Sequence, residues 1–272
     1  MKRSTVTTGL LTAAVMTLGS SAAYADNVGG EKGSNESYNE QCGGLPSHTN
    51  LKAALISARD QANGGFNLDM WGTVVNRDGL VCAVVFTGSN RGSQWPGSRA
   101  IAAQKANTAN AFSLPNLALS TADLYAAVQP GGTLYGLQHS NPVDTNVAYD
   151  GPASAFGEPN DPMLLRRIGG VNVFGGGLGL YNSKGVLVGG IGVSGDTSCA
   201  DHNISWRTRH ALNLDFVPGG VSPKDDDNIN YIGLVANPSV AHDFSHPICK
   251  IGGVDSVSGI SASLPPVQKV AH

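Results

Sequence analysis

The chain has 272 residues, a net charge of −3 and only 14% charged residues, together with 36 glycines and 14 prolines. This composition is typical of a turn-rich globular protein and excludes a largely disordered chain. It shows no basic patch that would indicate a nucleic-acid partner, and no segment reaches the roughly 20 apolar residues that a membrane span needs.

The first 25 residues have the organisation of a secretory signal peptide. Lys2 and Arg3 precede an apolar stretch at residues 9–18, and the small residues that follow end in A-Y-A. Cleavage after Ala25 changes the net charge from −3 to −5 over 247 residues. We therefore expect a secreted or periplasmic protein.

Four cysteines lie beyond the predicted cleavage site. In an exported protein an even number of cysteines indicates two disulfides, and three pairings are possible. The pairing that ties each terminal extension to the core joins Cys42 to Cys82 and Cys199 to Cys249, and we take it as our expectation.

The chain divides into a core and three attached segments. Polar, glycine-rich residues 26–47 predict a flexible N-terminal arm, and residues 48–215 hold the predicted domain. Proline-rich residues 131–162 read as a loop, and a loop of this length is usually functional or disordered. Residues 216–272 form a C-terminal extension.

The predicted elements alternate between helices and hairpins. Apolar residues recur at helical spacing from Leu51 to Ala62, with Thr49 or Asn50 available as the cap. The segments 68–75 and 80–87 flank the turn N-R-D-G, which is a hairpin signal.

Two helices, the long loop and a second hairpin follow. We expect a helix at 98–112 capped by Ser98, and a short helix after the capping box Ser120-x-x-Asp123. Segments 177–182 and 186–193 flank the turn S-K-G, and a helix over 197–214 comes next. This order predicts an α/β (α+β) fold with a central antiparallel sheet flanked by helices.

Three glycines between the second hairpin and the last helix have the spacing of a nucleotide-binding turn. Gly190, Gly192 and Gly195 read G-x-G-x-x-G, and Asp215 lies where a ribose-binding acid would be expected. However, the preceding strand is the second arm of an antiparallel hairpin, whereas a dinucleotide fold needs parallel strands joined by a crossover helix. We therefore expect no nucleotide.

Several separated stretches together resemble the GlcG/HbpS family. They are V-V-N-R-D-G-L-V at 74–81, A-x-x-K-A-x-T-A at 102–109, the glycine-rich hairpin at 168–195 ending in G-x-G-V-S-G, and the acidic helix start Asp201. The resemblance implies a profilin-like or PAS-like domain, usually oligomeric, that binds haem or another planar ligand. The extra cysteines, an insertion at residues 131–167 and the C-terminal extension depart from this pattern, so ligands held there cannot be transferred.

The start of the last helix is one candidate binding site. Its free N–H groups suit a haem propionate or a small acid, and Gly195 would let the backbone approach closely. Alternatively, Asp196 or Thr197 simply caps the helix, and the glycines serve the turn.

Side chains of three types are further candidates. His202 or His139 could ligate haem iron, although a single histidine is more often a hydrogen-bonded or surface residue. Arg99 or Lys105 could pair with a propionate, while Lys105, which shares the matched helix motif with Thr108, is most simply a solvated charge.

Three other sequence patterns give weaker indications of a functional site. His242, His246 and Cys249 are zinc-ligand types, but the cysteine is expected to be oxidised, and Pro247 argues against an aligning helix. The acidic run D-D-D-N at 225–228 reads as a solvated surface, because it lacks the spacing of a calcium loop. Ser194 matches a nucleophile elbow only partly, so no catalytic constellation stands out.

These observations favour an exported haem-binding protein of the GlcG/HbpS type, in a homo-oligomer, that serves haem uptake, storage or redox sensing. The first alternative is an enzyme that degrades haem or acts on a small hydroxy acid in the same pocket. The second is a structural or interaction protein that has lost its ligand.

Overall fold

A four-stranded antiparallel sheet forms the centre of the computed structural model, which describes residues 38–231 and 243–270. The strands lie in the order β2-β1-β4-β3. Their bounds are β1 Trp71–Asn76, β2 Val81–Phe86, β3 Gly177–Tyr181 and β4 Leu187–Ser194. The predicted fold class is therefore confirmed, and both hairpins lie where the turn residues indicated.

Both hairpins turn by the same device. In the first, the side-chain oxygen of Asn76 accepts hydrogen bonds from the N–H groups of Asp78 and Leu80. In the second, Asn182 accepts from Lys184 and Val186. Gly79 and Gly185 follow with φ of 75° and 70°, a backbone conformation that glycine adopts without steric cost.

Three long helices and several short elements surround the sheet. The long helices are α1 (His48–Arg59), α2 (Ser98–Phe112) and α5 (Ser198–Ala211). Short helices α3 (Leu137–Ser140) and α4 (Thr145–Ala148) lie in the insertion. The C-terminal extension contributes the small hairpin β5 (Lys250–Ile251) and β6 (Val254–Asp255) and the one-turn helix α6 (Ser258–Ser261).

Several predicted helix starts were wrong in detail. The cap of α1 is Ser47, whose hydroxyl accepts from the N–H of Asn50, and α2 begins after Gly97 without a side-chain cap. The capping box is present, since the backbone N–H of Ser120 donates to Asp123 and the N–H of Asp123 donates back to the Ser120 hydroxyl. It opens a series of turns and a 3₁₀ helix, Ala126–Val128, rather than an α-helix.

The two faces of the sheet have different partners. On one face, apolar side chains from every strand pack against α1 and α5, with Leu51, Leu55 and Ile204 at the contact. On the other face, Trp71 and Val75 pack against the alanines of α2 and against Val147 and Met163 from the insertion, among others. The insertion therefore helps to cover the second face of the sheet.

Glycines let α2 lie directly on β3 and β4. A Cβ at Gly192 would lie 2.0 Å from the carbonyl oxygen of Ala102, and one at Gly190 would lie 2.4 Å from that of Ala106. A Cβ at Gly177 would lie 2.5 Å from the carbonyl oxygen of Lys105. Because real Cβ atoms do not approach backbone so closely, these glycines set the distance between the helix and the sheet.

Disulfides and a hydrogen bond join the terminal segments to the core. The structure contains the expected disulfides, Cys42–Cys82 and Cys199–Cys249. Within residues 38–47 the arm is packed rather than free, because Cys42 is buried and the Tyr38 hydroxyl donates to the carbonyl of Cys82. The rest of the arm and the predicted signal peptide lie outside the described residues.

Two charges of the acidic run in the C-terminal extension are buried, which contradicts the predicted solvated surface. Asp226 and Asp227 are both inaccessible, and Asp227 makes a two-pronged ion pair with Arg209 of α5, at 2.7 and 2.8 Å. Paired charge of this kind allows a carboxylate to be buried. Within the described ranges, no helix has both the length and the apolar character needed to cross a membrane.

Candidate functional site

A cavity of about 310 Å³ opens where β4 turns into α5. Two exposed aromatic rings border it, Trp95 at 52% exposure and Phe174 at 44%. Its remaining wall consists of Gly97, Ser98, Ile101, Lys105, Ser194, Asp196, Ser198 and Asp201. The cavity thus combines apolar rings at its mouth with charged and hydroxyl groups around them, and we call it the turn cavity.

A buried ion pair contributes to the lining. The amine of Lys105 donates to the Asp201 carboxylate over 2.7 Å and to the carbonyl of Val193 over 3.2 Å. Only 1% of Lys105 is exposed, so the prediction of a solvated charge was wrong. Burial raises the pKa of Asp201 to about 6, although the neighbouring Lys105 opposes that shift.

The polar side chains of the turn before α5 are hydrogen-bonded to backbone N–H groups of the chain itself. Asp196 accepts from the N–H groups of Phe66 and Leu68, and Thr197 caps the helix by accepting from the N–H of Ala200. Gly195 is needed for close packing, because a Cβ there would lie 2.3 Å from the carbonyl of Asp69. Thr197 therefore makes the bond of the capping alternative, which needs no ligand, whereas Asp196 ties the loop at residues 66–68 to the turn.

His202 lies behind the turn cavity rather than in its lining. Its ring is fully buried, and its Nε2 lies 3.1 Å from the N–H of Ile229 and 3.2 Å from the side-chain oxygen of Asn228. Burial, reinforced by the nearby Arg209, lowers the pKa of His202 to about 3. His202 is therefore a neutral imidazole whose Nε2 is occupied, while its buried Nδ1 has no hydrogen-bond partner among the described residues.

The structure does not bring the other candidates into the turn cavity. His139 is exposed on α3, and Thr108 donates to the carbonyl of Gln104 while accepting from the N–H of Asn172. Arg99 forms a buried ion pair with Asp161 of the insertion and also donates to the carbonyl of Ala148. Arg99 is thus already neutralised by a carboxylate of the chain itself.

A second cavity, of about 350 Å³, lies beneath the insertion. Trp71, Tyr149 and Phe156 contribute to its largely apolar wall, and the guanidinium of Arg99 lies 3.7 Å from the centre of the Phe156 ring. Because the insertion supplies Tyr149 and Phe156, this cavity depends on a segment that the resemblance does not cover.

Sequence reasoning missed one pair of side chains at the turn cavity. The hydroxyl of Ser198, the first residue of α5, lies 3.2 Å from Nε2 of His246 in the C-terminal extension. His246 was considered only as a zinc ligand, and Ser198 not at all. No local pattern could have joined them, because 48 residues separate the two.

The remaining sequence hypotheses have structural answers. Asp215 holds His210 and Gln268 through its two carboxylate oxygens, each over 2.7 Å, so it is occupied as a structural residue. Cys249 is in a disulfide, and His242 lies outside the described residues. Across 38–231 and 243–270, no three His, Cys, Asp or Glu side chains converge as metal ligands would.

The similar solved structures include the PduOC:heme complex, the Klebsiella pneumoniae protein ORFY and HbpS. Their identities are 23%, 21% and 18%, with TM-scores of 0.42, 0.41 and 0.37. In each case the similarity covers 61% of this chain, and it covers 91%, 90% and 86% of the three matched chains in the same order. None of the curated proteins is similar enough to match.

The family comparison is more decisive. The model of the family described as "Haem degrading protein HbpS-like" matches residues 47–208, which is more than half of the chain and includes the sheet, α2 and most of α5. The chain therefore belongs to the HbpS-like family of haem-degrading proteins.

Proposed function

We propose that this protein is an exported haem-binding protein that holds haem at the turn cavity. The observation that carries the proposal is the pair of exposed rings, Trp95 and Phe174, at the mouth of that cavity. Exposed aromatic side chains beside a cavity suit a large planar ligand, which can stack on their faces. Membership of a family described by haem degradation directs the choice of planar ligand to haem.

The lining fits the porphyrin ring better than it fits the propionates. Trp95, Phe174 and Ile101 offer apolar contact, whereas Asp196 and Asp201 would repel carboxylates. Lys105 is already paired, so we expect the propionates to point towards solvent. Bound haem would supply redox chemistry, and the chain's own contribution would be to hold the ring and limit its contact with water.

Iron ligation is a separate question from ring binding. Among the described residues that line the turn cavity there is no imidazole, thioether or phenol. His139 stays a candidate axial ligand because its ring is exposed. His202 could ligate through Nε2 only by releasing Ile229, and its unpartnered Nδ1 is buried behind the lining. Helix-start residues Gly195, Asp196 and Thr197 remain candidates for backbone contact with the ligand.

The proposal extends to location and assembly. Two disulfides support export, since such bonds persist in oxidising compartments. A cavity of about 310 Å³ is too small to enclose a whole haem, and a second copy of the chain could cover the exposed face. This supports the homo-oligomer expected from the resemblance.

A hemin titration of the purified protein tests the proposal. We expect a saturable shift of the Soret band, with affinity about fivefold weaker in Trp95→Ala and in Phe174→Ala, because each ring contributes about 1 kcal/mol of stacking. Phe66→Ala is the matched control, since Phe66 is equally exposed but does not line the turn cavity. Absence of a saturable shift, or equal affinity in all three variants, would overturn the proposed site.

The same samples separate binding from turnover. With a reductant and oxygen present, a stable Soret band indicates binding or storage, whereas progressive loss of the band indicates haem degradation, as the family's description states for its members. Bleaching in the three ring variants, compared at equal haem loading, would then show whether the turn cavity is where the haem reacts.

A further inference from the structure

We infer that Ser198 and His246 form a nucleophile and general-base pair that hydrolyses small neutral esters in the turn cavity. This activity does not depend on haem binding. It uses a residue of the C-terminal extension, which lies outside the part of the chain that matches the family.

The hydrogen bonds of His246 fix its tautomer. Its Nδ1 lies 2.7 Å from the carbonyl oxygen of Pro247. A carbonyl can only accept, so Nδ1 carries the proton. Nε2 is then left with a lone pair, and this is the atom that lies 3.2 Å from the Ser198 hydroxyl. The hydroxyl therefore donates to Nε2, as a nucleophile donates to its base.

The surroundings keep His246 neutral and in place. The residue is 1% exposed, and burial lowers its pKa to about 4, so the imidazole is neutral near pH 7 and its Nε2 carries no proton. The ring of Tyr125 lies 4.9 Å away, centre to centre. The disulfide Cys199–Cys249 anchors the segment that carries the histidine. A backbone carbonyl takes the orienting role that a carboxylate has in a Ser-His-Asp triad.

The position of Ser198 suits attack on a bound carbonyl. Ser198 is half-buried and lines the turn cavity, and it is the first residue of α5, where the helix dipole favours developing negative charge. The next N–H, of Cys199, donates only to the sulfur of Cys249, which is a weak acceptor. The amine of Lys105 lies in the same lining.

The cavity indicates the class of substrate. Trp95, Phe174 and Ile101 favour a small apolar or aromatic acyl group. The carboxylates of Asp196 and Asp201 disfavour an anionic substrate. A neutral ester with a short acyl chain meets both conditions.

The reaction proceeds in two balanced steps. Ser198 Oγ bonds to the ester carbonyl carbon while its proton passes to His246 Nε2, and that proton then leaves with the alcohol as the ester C–O bond breaks. Water next attacks the acyl-serine, gives its proton to the same nitrogen, and releases the acid as the proton returns to Ser198. Bulk water is the only co-reactant, and no electrons are gained or lost.

Hydrolysis of p-nitrophenyl acetate by the haem-free full-length protein tests the inference. We expect Ser198→Ala and His246→Gln each to lower kcat/KM at least about 100-fold, as is usual for loss of a nucleophile or its base. Ser57→Ala, an exposed serine on α1, should leave the rate unchanged. A fluorophosphonate probe should label the peptide that contains Ser198, and not that peptide in the Ser198→Ala variant.

Several outcomes would overturn the inference. They are absence of hydrolysis and labelling in the wild type, a Ser198→Ala rate within twofold of wild type, or labelling at another serine. Because His246→Gln removes a buried ring, circular dichroism must first show that this variant folds. If it does not fold, the test rests on Ser198→Ala, which removes only one oxygen atom. The Soret titration is read independently, so either proposal can fail without the other.

Discussion

Lys105 shows how one buried charge can organise a site. Its neighbours along the chain are alanines and polar residues, which favoured a solvated side chain, yet the structure buries it against Asp201, 96 residues away. The ion pair joins α2 to the first turn of α5, and both residues line the turn cavity. A buried pair of this kind is costly to break, because the remaining charge is left without a partner.

Replacing Lys105 by methionine should measure how much the buried ion pair contributes to stability. We expect the free energy of unfolding to fall by about 3 kcal/mol, because Asp201 loses its counter-charge in the interior. The double variant Lys105→Met with Asp201→Asn should recover much of the loss. Urea denaturation at pH 7 measures both, with exposed Lys184→Met as the control. Equal losses in the single and double variants would contradict the pairing argument.

His202 should give the stability of the protein a distinct pH dependence. Its pKa is lowered from 6.5 to about 3 in the folded state. Between these values the unfolded chain binds a proton that the folded chain does not, so the free energy of unfolding falls as the pH falls, by up to about 1.4 kcal/mol per pH unit. His202→Gln should flatten the curve between pH 6.5 and 4.5 accordingly.

Urea denaturation at pH 7.0, 5.5 and 4.5 provides the measurement for His202. Asp201, with its raised pKa of about 6, acts in the opposite direction between about pH 4 and 6, but it is present in both proteins and cancels from the comparison. Exposed His139→Gln is the control and should run parallel to the wild type. Parallel curves for His202→Gln would show that the buried imidazole does not carry the effect.

At the scale of elements, glycines decide how α2 meets the sheet. The spacing of Gly190 and Gly192 suggested a phosphate-binding turn, but both lie on the face of β4 that α2 covers. Close packing of helix and strand is a role that glycine also has in nucleotide-binding folds. A similar spacing therefore serves helix packing here, without the parallel strand that a nucleotide site needs.

Gly192→Ala tests this packing. The added Cβ would lie 2.0 Å from the Ala102 carbonyl oxygen, so α2 must move off β4, and we expect a loss of at least about 2 kcal/mol. Gly259→Ala is the matched control, because nothing lies within 4 Å of its Cβ position in α6. Its melting temperature should stay near that of the wild type, and similar losses in both variants would refute the packing role.

Elements were predictable to the extent that local chemistry determines them. Asparagine and glycine turns located both hairpins, helical periodicity located α1, and an alanine-rich sequence located α2. The segment after Ser120 kept its capping box but not its helix, since the side-chain bonds that close a first turn do not extend it. A cap pattern thus predicts a turn more securely than it predicts the helix behind it.

At the scale of the whole molecule, long-range links complete the core and the candidate site. Arg99 meets Asp161 across 62 residues, and Ser198 meets His246 across 48. No periodicity or motif encodes such pairs, so Arg99 was considered only as a possible partner of a propionate and Ser198 was not considered. Of the long-range links in the structure, only the two disulfides were predicted, because each terminal extension contains a single cysteine.

The disulfide Cys199–Cys249 should matter for the ester-hydrolysing site as well as for stability. Replacing both cysteines by alanine should cost about 2 to 4 kcal/mol and should also lower the hydrolysis rate, because His246 loses its anchor. The matched control replaces Cys42 and Cys82, which should lower stability by a similar amount but keep the rate. Urea denaturation and the nitrophenyl ester assay measure the two effects, and equal loss of rate in both variants would contradict the coupling.

The Cys199–Cys249 bond would also make the activity of the Ser198 and His246 pair depend on the redox state of the compartment. In a reducing compartment the two thiols stay separate, and the segment with His246 lacks its covalent hold on α5. If the protein is exported as proposed, a newly made chain would therefore hydrolyse esters more slowly than the oxidised protein does. Oxidation after export would then act as a maturation step, in the way that cleavage activates a zymogen, but without the loss of a single residue from the folded domain.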